Sequence, residues 1–139
     1  MVEAQQSVKK DRPVYRNIGL AQLIKYRLPW AGKVSILHRI SGAVLFLLLP
    51  FILYLLDQSL ASELSYQKFQ AITGNILVKL ICLGLIWCFL HHFCAGIRYL
   101  LLDLEIGVEK SESNRSAIIV LVVGIALTAV VGLKMFGLY

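Results

Sequence analysis

The chain has 139 residues, 58% of them hydrophobic and 16% charged, with a mean hydropathy of +0.75. That excludes an ordinary water-soluble domain, in which roughly half the residues are apolar and about a quarter charged. The net charge of +6 does not indicate nucleic-acid binding, because the basic residues gather at one apolar helix end rather than on a folded polar surface.

Residues 1–34 read as an N-terminal arm followed by an interfacial segment. No apolar core precedes Ile40, so no secretory signal is expected, and Glu3 and Asp11 interrupt any basic presequence. A mobile arm is expected over 1–11. Pro13 and Pro29 break residues 12–30 into short pieces, and Trp30 beside Arg27 and Lys33 suits a lipid headgroup region. Beyond this point three stretches, 40–56, 80–97 and 116–133, lack any Asp, Glu, Lys or Arg. Each has seventeen or eighteen residues, close to the roughly 20 that cross the hydrocarbon core of a bilayer. The expected fold is all-α, with three transmembrane helices at about 36–57, 76–102 and 115–136 inside an anchor domain spanning 35–139. Residues 58–75, with Tyr66 and Phe69, are expected along the interface between the first two spans, which Lys79 and Lys134 can reach by snorkelling.

Charge sets the expected orientation. Eight of the fourteen Lys and Arg (Lys9, Lys10, Arg12, Arg16, Lys25, Arg27, Lys33, Arg39) lie before or at the start of the first span. The first connection carries only Lys68, the second Lys110 and Arg115. The positive-inside rule therefore puts the N-terminus and second connection in the cytoplasm, or in its matrix equivalent, and the C-terminus opposite.

Cys82, Cys88 and Cys94 follow one another at six-residue steps in the second span, which turns each to a different face. An iron–sulfur cluster needs about four converging thiolates, so these read as small apolar residues. The histidines carry more. At about 100° per residue, His92, Gly96, Tyr99 and Asp103 form one stripe, and Ser35, His38, Arg39 and Gly42 form another on the first span. Ionisable groups in membrane helices are costly and usually face a ligand, a partner or a cavity, so two facing stripes point to an interhelical site. Gly96 leaves room for a flat macrocycle near His92. His92 is expected roughly 15 Å inside the end of its helix, with His38 near the rim and off that level. The pair is then poorly placed to clamp one iron. A haem b on His92 would take its second axial ligand from another chain, with His38 and Arg39 near its propionates.

The string Ser35-x-x-His38-Arg39-x-Ser41, together with His92-x-x-x-Gly96-Ile97-Arg98-x-x-x-x-Asp103 and Arg12-Pro13 upstream, resembles the cytochrome b subunit of succinate dehydrogenase, the larger membrane anchor of respiratory complex II. The resemblance runs from Arg12 through three helices in the expected order. Tyr99 stands where the family usually has His or Phe, Glu105 replaces a small residue, and the stretch between Pro13 and Ser35 is long. The resemblance implies that His92 is the axial ligand of one haem b, paired with a histidine of the smaller anchor subunit in a shared helix bundle. It also implies that Ser35 and Arg39 line a ubiquinone pocket against the iron–sulfur subunit, at the cytoplasmic side of a bacterial inner membrane. A hydroxyl and a guanidinium suit quinone carbonyl oxygens. Electrons from succinate would arrive through a flavoprotein and that iron–sulfur subunit, and neither a flavin nor a cluster has a binding motif in this chain.

Plainer readings stand beside these. His92 read from the residues alone serves equally as a bridge to a neighbouring helix, and His91 faces about 100° away from the Gly96 stripe. Arg39 suits a charge anchor, Ser35 a helix N-cap, and Arg98 and Asp103 rim charges, with an Asp103–Arg39 contact across the helix ends as a middle reading. Tyr54, Trp87 and Tyr99 suit packing. At the level of function the alternatives are the anchor of a quinol:fumarate reductase and a non-redox membrane scaffold.

Overall fold

The computed structural model describes residue 17 and residues 19–138. The arm over 1–11, Arg12-Pro13 and the basic residues Lys9, Lys10, Arg12 and Arg16 lie outside the described residues. Five helices form among those described: α1 (Leu20–Lys25), α2 (Trp30–Ala61), α3 (Glu63–Thr73), α4 (Ile76–Asp103) and α5 (Lys110–Met135). Three of them, α2, α4 and α5, are long and apolar enough to cross a membrane. The all-helical, three-span architecture is therefore as expected.

The helix ends differ from the expectation. Helix α2 starts six residues earlier and ends four later, and α5 starts at Lys110 rather than about 115. A charge-free stretch marks what lies in hydrocarbon, whereas a helix continues into the polar zone wherever its end groups are satisfied. At about 1.5 Å per residue, the 32 residues of α2 extend roughly 48 Å, well beyond a core about 30 Å thick. Its N-terminus is held from a distance. Pro29 at the N-cap has no side-chain cap to offer, and the Ala31 amide instead donates to Oδ1 of Asn114 in the first turns of α5, at 3.1 Å. Pro50 removes one ladder donor within α2 without ending it.

Helix α3 joins α2 to α4 at the end opposite the N-terminus of α2. A reciprocal cap starts it: the Ser65 amide donates to Ser62 Oγ at 3.1 Å, and the Ser62 amide to Ser65 Oγ at 3.0 Å. None of its residues is buried. Asn75 caps α4 by accepting from the Leu77 amide at 2.8 Å. At the far end of α4 the chain reverses through Glu105, whose φ is 61°, and Gly107, whose φ is 73°.

Helix α4 packs against both α2 and α5, and α2 also touches α5, so the three spans form a bundle. The buried apolar core is small: Val34, Ala95, Ala117 and Val120. Small residues let α4 and α5 approach closely, as membrane helices commonly require. A Cβ on Gly124 would stand 3.6 Å from Cα of His91, and one on Gly132 would stand 3.2 Å from a Leu83 methyl. The large side chains point outward. Phe46 and Leu47 are 75% and 73% exposed, and Phe89 and Phe93 are also largely uncovered, as suits a lipid or partner surface rather than water.

Candidate functional site

The two polar stripes face each other across the α2–α4 seam. His92 on α4 places Nδ1 3.1 Å from the carbonyl oxygen of His38 and 3.2 Å from Oγ of Ser41. Ser41, 2% exposed, donates its own hydroxyl proton back to the His38 carbonyl at 2.9 Å. The adjacent Gly42 admits the ring, since a Cβ there would meet Cε1 of His92 at 2.8 Å. His92 Nε2 makes no hydrogen bond with any described residue.

His38 occupies the same level as His92, contrary to the expectation that it sits near the rim. Their rings stack with centroids 4.1 Å apart and planes within 8°. The early start of α2 contributes to this: His38 lies eight residues beyond Trp30, about 12 Å into the helix, rather than two residues beyond a start near 36. Parallel rings at stacking distance present faces to each other, and lone pairs lie in the ring planes. The Tyr99 ring tilts against His38 at 5.0 Å, and Gly96 lies beneath His38, with Nε2 3.8 Å from where a Cβ would be.

Ser35 is half-buried one turn before His38 and lies five residues inside α2, so it is not an N-cap. Arg39 is exposed on the following turn, and among the described residues neither its guanidinium nor the Ser35 hydroxyl has a side-chain hydrogen bond. No ion pair joins Arg39 to Asp103, and Asp103 is an exposed rim charge.

Arg98 is not a rim charge. It is 5% exposed and reaches into the α4–α5 seam. Its Nε donates to Ser116 Oγ at 2.9 Å, and one terminal nitrogen donates to the Ser113 carbonyl and hydroxyl at 2.9 and 2.8 Å. The early start of α5 creates this cradle by making Ser113 and Ser116 helical and facing α4. His91 turns the same way. It is fully buried, stacks on Trp87 at 5.2 Å, and rests on the backbone of Gly124. Both of its ring nitrogens, and the hydroxyl of Tyr99, lack hydrogen-bond partners among the described residues. The signal for the Arg98 cradle was Ser113-x-x-Ser116, a small polar pair on one face of α5.

The donor set limits the chemistry. Among the described residues no three His, Cys, Asp or Glu side chains converge, and the three cysteines are free and half-buried. His92 leaves one ring nitrogen, Nε2, without a hydrogen bond among the described residues.

Residues 9–131 match the family described as succinate dehydrogenase/fumarate reductase transmembrane subunit. The chain is 38% identical over 111 residues to the succinate dehydrogenase cytochrome b556 subunit of Coxiella burnetii, covering 79% of this chain and 89% of that one. It is 30% identical to the protein of the same name from Paracoccus denitrificans, over 80% of this chain and 85% of the relative. With the Rickettsia felis protein of that name the identity is 26%, over 92% of this chain and 96% of the other. On its three spans, its facing histidine stripes and these matches, the chain belongs to the family of succinate dehydrogenase/fumarate reductase transmembrane subunits.

Proposed function

We propose that the chain is the membrane-anchor and electron-transfer subunit of a succinate:ubiquinone oxidoreductase, ligating one haem b through His92 and helping to form the ubiquinone-reduction site. The observation that carries this reading is His92 itself, inside a membrane bundle with Nδ1 engaged by α2 and Nε2 unbonded. That is what an axial ligand requires, and two glycines, Gly42 and Gly96, keep side chains away from the histidines. Haem b needs from this chain only one imidazole, which fits a donor set without a larger cluster. When bound it supplies a one-electron carrier. His92 would hold and orient it, and His38 and Arg39 on α2 would offer hydrogen-bond donors to its propionates. A second histidine ligand would come from a smaller anchor subunit, for which the outward apolar faces of the spans offer a surface.

Ser35 and Arg39 sit one turn apart toward the N-terminus of α2. Their free donors suit the two tasks of a quinone pocket, holding a carbonyl oxygen and stabilising charge that develops on it. The arm and interfacial segment over 1–34 and the second connection would lie on the cytoplasmic side of a bacterial inner membrane, facing an iron–sulfur subunit and a flavoprotein, with residues 35–139 as the anchor. The names of the curated relatives favour succinate oxidation over the reverse reaction that the family description also covers.

The test is His92→Ala in the assembled complex. Haem is lost or sharply reduced while the chain still inserts and its partners still co-purify. Full haem with an unchanged spectrum would contradict the reading and turn attention to His91.

A further inference from the structure

We propose that Ser41, with the backbone carbonyl of His38, is a positioning element that fixes the tautomer of His92 and makes its free nitrogen a stronger metal donor. This rests on the reading of His92 as a haem ligand and deepens it. Three polar atoms meet in the α2–α4 seam, where Ser41 is buried and His38 and His92 are half-buried. The His38 carbonyl only accepts. The Ser41 hydroxyl has one proton and lies 2.9 Å from that carbonyl. His92 Nδ1 lies 3.1 Å from the carbonyl and 3.2 Å from the hydroxyl oxygen. A bare lone pair on Nδ1 would face the carbonyl lone pairs and repel them. With a proton on Nδ1, that N–H donates to the carbonyl and to Ser41 Oγ together, Ser41 donates to the carbonyl, and no two lone pairs oppose. Nδ1 therefore carries the proton, which leaves the lone pair on Nε2.

The arrangement needs the backbone of α2 to come close to the ring, and Gly42 provides the notch: a Cβ there would stand 2.8 Å from Cε1. Ser41, Gly42 and the His38 carbonyl thus form one cradle on a single turn of α2. Donation from Nδ1–H pushes electron density toward Nε2, and such outer partners tune both affinity and potential at a ligated metal. A stronger donor favours the ferric over the ferrous state. A serine bonding back to the preceding turn is common in membrane helices and can be purely structural, so the test must isolate the hydroxyl.

The experiment is a redox titration of haem, with haem content, in the assembled detergent-solubilised complex carrying Ser41→Ala, Ser41→Thr or Ser41→Val. Ser41→Ala raises the haem midpoint potential. Threonine and valine have nearly the same shape, so a difference between them belongs to the hydroxyl. Threonine stays near the parent in potential and occupancy, while valine shifts upward or retains haem about 10-fold less well. An unchanged or lowered potential in Ser41→Ala, or threonine and valine variants that behave alike, would overturn the proposal. His92→Ala measured in parallel separates the two claims. If it keeps the parent spectrum, the ligand reading fails; if it loses haem while threonine and valine match, only the role of Ser41 fails.

Discussion

Arg98 and Arg39 are both arginines in membrane helices, and the structure gives them opposite environments. Arg98 is enclosed by Ser113 and Ser116, which makes it a tie between α4 and α5. Interhelical hydrogen bonds in membranes reach about 1–2 kcal/mol, so Arg98→Met should destabilise the bundle by about that much. Denaturant or thermal unfolding of the complex measures it, and an unchanged midpoint would mean that the cradle contributes nothing. Arg39 is exposed and its donors are uncommitted. Arg39→Leu should lower quinone reduction about 10- to 100-fold, the equivalent of one charge-assisted hydrogen bond of ~1.5–3 kcal/mol, with Ser35→Ala in the same direction. Succinate oxidation by an artificial dye acceptor should survive both changes. A parallel fall of dye and quinone activities would mean lost assembly instead. Gly42→Ala places a methyl 2.8 Å from Cε1 of His92, so it should displace the ring and reduce haem occupancy, which a pyridine haemochrome assay reads directly.

At the scale of elements, the turn between α4 and α5 holds a local strain. Glu105 has a φ of 61°, a conformation that costs a residue with a side chain roughly 1–2 kcal/mol and glycine far less. Glu105→Gly should therefore stabilise the turn by about 0.5–1 kcal/mol, seen as a higher unfolding midpoint. The spans themselves were legible, because seventeen or eighteen consecutive uncharged residues have no other economical use in so short a chain. Their ends were not. Helix α2 begins at Trp30 because Asn114, far away in sequence, accepts from the Ala31 amide, and no local pattern announces that. The same early start contributed to moving His38 from the rim to the level of His92. Periodicity also put His38 and Gly42 opposite His92, Gly96 and Tyr99, since the spacing along each helix fixes the face, while Arg39 and Asp103 at the ends of the two stripes stay exposed. It could not say that Arg98 and His91 turn toward α5, which depends on where the third helix packs.

At the scale of the whole molecule, the bundle buries very little large apolar surface within itself, and its outer faces carry Phe46, Leu47, Phe89 and Phe93. Such a surface needs lipid and a partner helix bundle, so the isolated chain should be stable only in membranes or detergent. Lys25, Arg27, Lys33, Lys110 and Arg115 lie at or beyond one end of the spans, against Lys68, Lys79 and Lys134 at the other. An impermeant thiol reagent should consequently reach Glu109→Cys only from the cytoplasmic side and Gln67→Cys only from the opposite side. The reverse pattern would invert the topology and move the proposed quinone site away from the soluble subunits.

The proposed function requires haem b bound within a succinate-oxidising complex. Its most direct test is a dithionite-reduced minus oxidised spectrum of the purified parent chain with its co-purifying partners. A b-type α band, with flavin and iron–sulfur subunits in the same preparation, is the predicted result. A preparation with neither haem nor those subunits would contradict the account and leave a membrane scaffold whose histidines only join helices.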